Sequence, residues 1–275
     1  MPSPRRRRDA FIMPTITLGD LSTYYETHGE GEPLLLIHDL GSSTEDWEWQ
    51  VPVLRHAFTV VTYDVRGHGK TGKPAEAYSL SQFSNDAAKL ITALALGPMH
   101  VVGLGMGGMI ALQLVLNYPD LVRSLVIVNS GPEMIPRTLR ERLAIARQRM
   151  IVRTVGMSKM GRTLADRLLP RPDHASHRNA FAARWSRNDP RAYLRALDAT
   201  IGWSVADRLG DIDCRVLVLA ADHDDTPVAR HRGYAAQMRD ASFVVIPDSH
   251  HALPIECSEQ FNNALCCFLS TVRIQ

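Results

Sequence analysis

The chain has 275 residues, of which 45% are hydrophobic and 22% charged, and its formal net charge is +2. A chain of this length can bury a large core without disulfide or metal staples, and its composition excludes wholesale disorder. The small net charge argues against binding nucleic acid by bulk attraction. No apolar run approaches the roughly 18 residues of a membrane-spanning helix. We therefore expect a globular protein without nucleic-acid or membrane partners, and the sequence leaves its oligomeric state open.

The N-terminal segment and the cysteines bear on where the protein works. Residues 1–13 include four consecutive arginines, but no apolar stretch follows them, so they do not form a secretory signal. We expect a disordered basic extension, and an arm that binds a partner is the alternative. Four cysteines without a CxxC pair favour free thiols in a cytoplasmic protein. These cysteines are Cys214, Cys257, Cys266 and Cys267.

Short apolar runs alternate with helical patterns along most of the chain. Predicted strands are Leu34–His38, Thr59–Asp64, His100–Leu104, Ser124–Asn129, Arg215–Ala220 and Phe243–Pro247, preceded by a hairpin of Thr15–Leu18 and Thr23–Thr27. Predicted helices are Leu80–Leu96, Met106–Asn117, Pro227–Arg239 and Ser258–Val272. The six strands are continuously apolar, which is typical of strands covered on both faces. Repeated strand–helix units predict an α/β fold with a doubly wound, mostly parallel sheet.

One segment interrupts this alternation. Residues 133–204 show helical patterns broken by prolines and no strand, and they contain 15 Lys/Arg but six Asp/Glu, a net charge of +9. We interpret this segment as a helical cap inserted into a core formed by residues 14–132 and 205–275. The excess positive charge favours a lid that attracts an anionic small molecule. Solvated outer helix faces are the alternative interpretation.

A glycine-rich turn follows the third predicted strand of the core. Gly103–Gly108 reads GLGMGG, which matches GxGxxG between a strand and a helix and raises the possibility of a dinucleotide site. Such a site requires an acidic residue at the end of the next strand, where this chain has Asn129. A lone glycine fingerprint is weak support, so the dinucleotide interpretation remains a minor alternative.

Five segments in register resemble the α/β-hydrolase family. They correspond to its nucleophile elbow, its HGxG oxyanion loop, its DxRGxG turn, its acid loop and its histidine loop. In this chain they are Gly103–Gly107, Leu36–Gly41, Asp64–Gly69, Ala221–Asp224 and Ser249–Glu256. The resemblance implies an α/β-hydrolase fold with a helical cap and a small-molecule substrate.

The resemblance also implies roles for individual residues. Asp224 would orient the imidazole, His251 would be the general base and acid, and the backbone N–H groups of Leu40 and Met106 would form the oxyanion hole. Rival residues close to these positions are Asp222, Asp225 and His250. The five-residue spacing to Glu256 favours His251 over its neighbour.

Two positions depart from the family pattern. Gly105 stands where the nucleophilic serine is expected, and Asp39 replaces the glycine of HGxG. Glycine cannot form a covalent intermediate, although it suits the strained elbow. A carboxylate beside the oxyanion hole would oppose the negative charge of acyl transfer. Because the acid and the histidine remain, Asp39 becomes a candidate proton-transfer group alongside His251.

Three functions remain compatible with these residues. The pattern most resembles small carboxylesterases and enol-lactonases, which implies an ester or lactone hydrolase scaffold without its serine. The first alternative is a non-catalytic protein that binds a small ligand. The second is a cofactor-free lyase, cyclase or water-attack enzyme that uses His251 and Asp39. We expect no cofactor and no metal site, since His174 and His177 share a helix face without a nearby third ligand.

Overall fold

Eight strands form one sheet in a computed structural model that describes residues 14–272. The proposed N-terminal extension lies outside the described residues. In chain order the strands are Thr15–Leu18 (β1), Leu21–His28 (β2), Glu32–Ile37 (β3), Phe58–Tyr63 (β4), Met99–Leu104 (β5), Val122–Val128 (β6), Arg215–Ala221 (β7) and Ala241–Ile246 (β8). All the predicted strands are confirmed, with ends that differ by no more than two residues.

The sheet is mostly parallel, as the sequence predicts. Its order is β1-β2-β4-β3-β5-β6-β7-β8. The hairpin β1–β2 joins the edge by antiparallel pairing of β2 with β4, and every later neighbour pairs in parallel. Strands β3, β5 and β6 are buried almost throughout. Helices therefore cover both faces, which explains why the central strands are apolar without alternation.

Helices on the two faces of the sheet enclose two hydrophobic clusters. The helices of the core are Val51–Leu54 (α1), Leu80–Leu94 (α2), Met106–Asn117 (α3), Val228–Ala235 (α8), Leu253–Glu256 (α9) and Ser258–Val272 (α10). One cluster packs under α2, α3 and α8, and the other under α1, α9 and α10. The bounds of α3 and α10 match the prediction. Helix α8 is shorter than predicted because Gln237 and Met238 continue in tighter, three-residue turns.

Four helices make up most of the segment between β6 and β7. They are Leu139–Thr154 (α4), Met157–Leu168 (α5), Ala175–Ser186 (α6) and Pro190–Thr200 (α7). Thr138 and Glu141 form a capping box at the start of α4, and Asp189 caps α7, whose first residue is a proline. The four helices share a hydrophobic cluster of their own that also includes Ala252 and Ile255 of the core. The segment thus packs onto the loops at the carboxyl ends of the strands.

Candidate active site

The loops that follow the central parallel strands meet at one edge of the sheet. Asp39 and Leu40 follow β3, Gly105 follows β5, Asp224 follows β7 and His251 follows β8. Open α/β sheets place their ligands at this edge because the carboxyl ends of the strands and the N-termini of the crossover helices face it. The topology therefore brings together residues that are up to 212 positions apart in the chain.

The turn between β5 and α3 has the geometry of a strained elbow. Gly105 has φ +53 and ψ −116, a conformation that L side chains rarely adopt. Its N–H donates to Val128 O at 3.0 Å, and its carbonyl accepts from Ser130 Oγ at 2.6 Å. A Cβ on Gly107 would lie 2.2 Å from Ile37 O, so only glycine allows α3 to approach β3 this closely.

Asp39 reaches across from the β3 loop and fills the elbow. Its Oδ1 accepts a hydrogen bond from the Met106 N–H at 2.6 Å, at the first residue of α3. A Cβ on Gly105 would lie 2.0 Å from the same oxygen and 2.4 Å from Asp39 Cγ. The carboxylate thus occupies the space of the missing side chain and holds one of the two amides assigned to the oxyanion hole. A carboxylate at this helix N-terminus also opposes the binding of a dinucleotide phosphate there.

His251 lies between two carboxylates. Its Nδ1 is 2.7 Å from Asp224 Oδ1, and its Nε2 is 3.1 Å from Asp39 Oδ2. The imidazolium form donates an N–H to each acid. We refer to Asp39, His251 and Asp224 as the acid–histidine–acid triplet. The side chain of Asp224 is almost fully buried, whereas about a quarter of the side-chain surface of His251 and of Asp39 is exposed, at 25% and 23%.

The members of the triplet shift one another's pKa values toward their charged forms. Burial alone would lower the pKa of His251, but the hydrogen bonds and charges of Asp224 and Asp39 raise that pKa well above its usual value. Burial alone would raise the pKa of Asp39, yet the bond to His251 and the Met106 amide outweigh it, so the pKa of Asp39 is lowered. The pKa of Asp224 is lowered in the same way, because the nearby His231 ring and the hydrogen bond from His251 outweigh burial. At neutral pH the triplet therefore holds two carboxylates and one imidazolium.

The rivals named from the sequence have other partners. Asp222 accepts from the backbone N–H groups of Asp248 and Ser249, and Asp225 pairs with Arg167 at 3.0 Å. Glu256 binds the neighbouring histidine: its Oε2 accepts from His250 N at 2.6 Å and its Oε1 lies 2.9 Å from His250 Nδ1. His251, which the spacing argument favoured, is thus the histidine that pairs with Asp224, whereas Glu256 fixes the residue before it.

Two further residues support the triplet and were not identified from the sequence. Asn129 ends β6 with φ +42; its Oδ1 accepts from Ala221 N at 2.8 Å, and its Nδ2 donates to the carbonyls of His250 and His251. His231, buried on α8, places Nε2 3.8 Å from Asp224 Oδ2. An asparagine at a strand end is a recognisable signal, whereas His231 lies within an ordinary helical pattern.

Hydrogen bonds on both sides of Asp39 fix its loop. His38 donates from Nδ1 to Asp39 O at 2.7 Å and accepts at Nε2 from Val65 N at 2.9 Å. Burial lowers the pKa of His38 to about 4, so the ring stays neutral and keeps both bonds. On the cap side, Asn188 donates to Gly41 O at 2.6 Å. The carboxylate of Asp39 is therefore carried by a loop held from the core and from the cap.

An ion-pair cluster ties α6 to the segment after this loop. Arg184 lies 3.3 Å from carboxylate oxygens of both Glu45 and Asp46, and it also pairs with Glu48. Asp46 is buried, and burial raises its pKa to about 6 despite the bonds from Ser42 and Arg184. The bond that Ser42 donates to Asp46 removes its hydroxyl from the triplet. The cluster was not predicted, because its partners are 136 or more residues apart.

A cavity of about 620 Å³ lies above the triplet and beneath the cap. Its wall includes Asp39, Gly105 and His251, together with apolar side chains from the β3 loop, the elbow helix and the cap. These apolar side chains are Leu40, Met106, Met109, Met134, Leu164, Leu168, Trp185 and Leu197. Tyr193 adds a buried hydroxyl that accepts from Gln148 Nε2 at 2.6 Å. The cavity suits a small, mainly apolar ligand.

Charges at the cavity wall are largely compensated. Within residues 14–272 the arginines lining it are Arg167, which pairs with Asp225 at 3.0 Å, and Arg230, which pairs with Glu133 at 3.1 Å. Much of the remaining positive charge of the cap lies on exposed helix faces. No helix among these described residues is long and apolar enough to cross a membrane.

The fold and the site define an α/β protein of the hydrolase type. The defining features are the sheet order, the strand–turn–helix elbow and the histidine paired with an acid after β7. The alpha/beta hydrolase family matches residues 34–264, and the chain belongs to this family. It is 31% identical over 261 residues to a putative carbamate hydrolase, RutD, of Caulobacter sp. (strain K31), covering 90% of this chain and 95% of the relative.

Two further similarities extend over nearly the whole chain. The (E)-2-((N-methylformamido)methylene)succinate hydrolase of Acinetobacter baylyi is 29% identical over 269 residues, which cover 94% of this chain and 99% of the relative. The crystal structure of the enol-lactonase from Burkholderia xenovorans LB400 superposes with a TM-score of 0.84 at 24% identity, over 94% of this chain and 100% of that one. The structural likeness shows the same fold over this length of the chain.

Proposed function

We propose that the protein is a hydrolase of small molecules that works without a serine, using Asp39, His251 and Asp224 as its catalytic groups. The observation that carries this proposal is the position of the Asp39 carboxylate. It fills the place of the missing nucleophile and contacts both the Met106 N–H and His251 Nε2. The Ser130 hydroxyl near the elbow is engaged elsewhere, because it donates a hydrogen bond to Gly105 O.

Each member of the triplet has a distinct task in this proposal. Asp39 supplies an ionised carboxylate at the cavity wall, where it faces the substrate. His251 moves protons between Asp39, water and the departing group. Asp224 fixes the tautomer and ring orientation of His251 and stabilises its charged form. Asn129 positions the histidine loop, and so it supports the reaction without touching the substrate.

Cleavage of an ester or lactone is the second candidate. It is favoured by relatives whose names denote hydrolysis of a carbamate and by the structural likeness to an enol-lactonase. It requires, however, that Asp39 Oδ1 release the Met106 N–H, because an acyl substrate needs that donor for its oxyanion. The present geometry therefore favours a reaction in which the substrate itself develops no oxyanion in the hole.

The ligand that we propose is small and mainly apolar. An anionic group would have to displace Asp225 from Arg167 or Glu133 from Arg230, which offsets part of the attraction expected from the charge of the cap. Because the Arg167–Asp225 pair is largely exposed, its replacement costs little, about 0–1 kcal/mol, whereas Glu133 is more covered and also pairs with Arg137. A carboxylate on the ligand is thus tolerated at the cavity wall but is not required.

The test is a comparison of two matched aspartate variants on a panel of probes. The panel contains phenyl acetate, γ-butyrolactone, phenyl glycidyl ether and 1-bromobutane, with products identified by mass spectrometry. Asp39→Asn should abolish turnover of every probe that the unaltered protein hydrolyses. Asp120→Asn, at an exposed turn after α3, should leave turnover unchanged. If the unaltered protein hydrolyses none of the four, the proposal is overturned in favour of a non-catalytic ligand-binding protein.

A further inference from the structure

The outer face of helix α4 carries an apolar stripe bordered by arginines, and we infer that this face docks on the surface of a lipid bilayer that contains anionic lipids. The helix lies in the plane of the interface, with its apolar side chains among the upper acyl chains and its guanidinium groups at the phosphates. The inference is independent of the proposed function, because it uses no group of the acid–histidine–acid triplet. It concerns binding to a surface, since no helix of residues 14–272 is long and apolar enough to cross a membrane.

The apolar side chains of this face are strongly exposed. Among residues 14–272, the three most exposed large apolar side chains are Leu139 at 71%, Met150 at 63% and Leu143 at 59%. All three lie on α4, and Ile135 before the helix and Val155 after it are exposed as well. Single exposed apolar side chains need no explanation, but a contiguous group of them marks an interaction surface.

Helical periodicity places the three side chains in one row. At about 100° per residue, Leu139, Leu143 and Met150 fall within a sector of about 40°, and the row is about 16 Å long. Ile145 and Val152, the buried residues of α4, lie about 160° and 180° around the helix from Leu143. The row therefore faces away from the body of the cap.

Arginines border the row on both sides. Measured around the helix from Leu143, Arg140 and Arg147 lie about 40–60° to one side, and Arg153 lies about 80° to the other. None of these three guanidinium groups forms an ion pair within residues 14–272. Arginine stems can cover apolar surface while their charged ends reach the phosphates. Uncompensated positive charge next to exposed apolar side chains thus complements an anionic bilayer interface.

The helix is held in place from its buried side. A capping box fixes its first turn. Gln148 Nε2 donates to the Tyr193 hydroxyl at 2.6 Å, and Arg149 pairs with Asp198 at 2.6 Å. The docking face is therefore formed before it meets a partner, and little conformational entropy of the backbone is lost on binding.

The shape and charge of the face argue against other occupants. A second copy docked symmetrically through α4 brings the same arginines together, and like charges at a contact repel. A protein groove that takes up a helix surrounds several of its anchor positions. Helix α4 instead stays packed on the cap and offers one convex row. A flat, deformable interface such as a bilayer fits that row better than a groove does.

Composition alone led us to expect no membrane partner, and the reason for the difference is local. The +9 of the cap is offset by the rest of the chain in the small total charge. An interfacial helix also needs no long apolar run, because only one of its faces contacts the acyl chains. The stripe becomes recognisable only when the buried side of α4 is known.

The test is flotation of the full chain with vesicles of phosphatidylcholine that contain about one-third phosphatidylglycerol. Leu143→Gln combined with Met150→Gln should lower the partition coefficient at least about tenfold, because it removes two apolar side chains from the interface. Arg140→Gln combined with Arg147→Gln should lower it about 25-fold, since each basic residue near an anionic surface contributes about fivefold. Thermal unfolding of each variant checks that these exposed positions leave the fold intact.

Matched controls come from helix α1 of the core and its C-terminal end. Val53 and Arg55 are exposed there, and neither Val53→Gln nor Arg55→Gln should change the partition coefficient. Vesicles of phosphatidylcholine alone should bind far less protein, and binding to the anionic vesicles should weaken as salt shortens the Debye length. Leu143→Trp should gain a fluorescence signal quenched by lipids brominated on their acyl chains, whereas Val53→Trp should not.

Absence of binding to the anionic vesicles would overturn the inference. In that case analytical ultracentrifugation identifies a second copy as the occupant, if self-association is lost in the Leu143→Gln, Met150→Gln variant. Binding of polyglutamate that depends on Arg140 and Arg147 would instead indicate an acidic protein. Equal vesicle binding by the α4 variants and the unaltered chain would also overturn the inference, because adsorption would then occur through another segment, such as the arginines of residues 1–13.

Discussion

The Asp39 carboxylate lies where the side chain of residue 105 would begin, since a Cβ built on Gly105 is 2.0 Å from Asp39 Oδ1. The two departures from the family pattern are therefore one structural feature. Glycine at 105 makes room for the carboxylate, and the carboxylate takes the position of the missing hydroxyl. Substitution of either residue should change what the other can do.

Gly105→Ser alone should not create a serine esterase. The new side chain collides with Asp39 and must adopt φ +53, so the free energy of unfolding should fall by about 1–3 kcal/mol. Gly105→Ser combined with Asp39→Gly removes the collision and frees the Met106 N–H. The double variant should hydrolyse phenyl acetate and react with a fluorophosphonate probe, and a double-mutant cycle should show strong coupling. Equal activity of the single and double variants would show that the two positions are independent; Asp39→Gly alone is the control.

Asp39→Asn should lower the pKa of His251. The imidazolium loses one of the two carboxylates that hold its pKa well above the usual value, and Asp224 remains as its partner. Titration of the ring by NMR should show His251 protonated through neutral pH in the unaltered protein and deprotonating at lower pH in the variant. Asp120→Asn should leave the titration unchanged. An unaltered His251 pKa in Asp39→Asn would mean that the contact at 3.1 Å carries no charge coupling.

The pKa shifts of the triplet should make the free energy of unfolding depend on pH. The lowered pKa values of Asp39 and Asp224 add stability above the ordinary carboxylate value of 3.8, and this is lost as the pH falls through their folded values. The raised pKa of His251 adds stability below its ordinary value of 6.5, and this is lost as the pH rises through its folded value. The stabilisation from all three pKa shifts is therefore fully present between about pH 3.8 and 6.5.

Urea unfolding at a series of pH values checks this profile. The free energy of unfolding should decline above pH 6.5, and Asp39→Asn should flatten that decline because less of the histidine shift remains. The difference between the two proteins isolates the triplet from other titrating groups, such as Asp46, whose pKa is raised to about 6 by burial. Parallel curves for the two proteins across this range would contradict the prediction.

Asn129→Gly should loosen the histidine loop. The variant loses the bonds to the carbonyls of His250 and His251 and leaves the buried Ala221 N–H without its acceptor, at a cost of about 1–3 kcal/mol. Position 129 has φ +42, a left-handed conformation that glycine adopts without strain. Asn129→Ala is therefore the matched comparison. It should lower the free energy of unfolding by about 1–2 kcal/mol more, because alanine is strained at this φ. Thermal unfolding and the low-field proton resonance of the His251–Asp224 bond report the two effects. A normal resonance in both variants would show that Asn129 does not position the histidine.

Local pattern predicted most of the fold. Continuous apolar runs located six strands to within two residues, a hairpin pattern located the first two equally well, and the elbow helix Met106–Asn117 was predicted with its observed ends. These elements are determined by short-range preference and burial on both faces of the sheet. The short helix Val51–Leu54 was missed, because four residues are too few to show a helical pattern of apolar positions.

The site was only partly accessible from the sequence. The loop positions gave Asp224 and His251, and the deviation at Asp39 marked it as unusual. That its carboxylate occupies the elbow depends on the approach of two loops 67 residues apart, and sequence spacing does not encode that distance. The surroundings of the cap's charges were not accessible either: composition shows the excess of arginine, but only the fold shows that Arg167 of the cap pairs with Asp225 at the cavity wall, and an anionic ligand stays a prediction.

Under the proposed function, the contacts that α6 and the turn after it make with the β3 loop and the segment that follows link the cap to reactivity as well as to selection. Asn188 holds Gly41 O, two residues from Asp39, while Arg184 holds the segment that follows. A cap taken from another family member would bring different residues to both contacts and would shift the loop that aims the carboxylate. Under the proposed function, substrate range and the reacting group are thus inherited together, and a chimera that exchanges only the cap should change the chemistry along with the specificity.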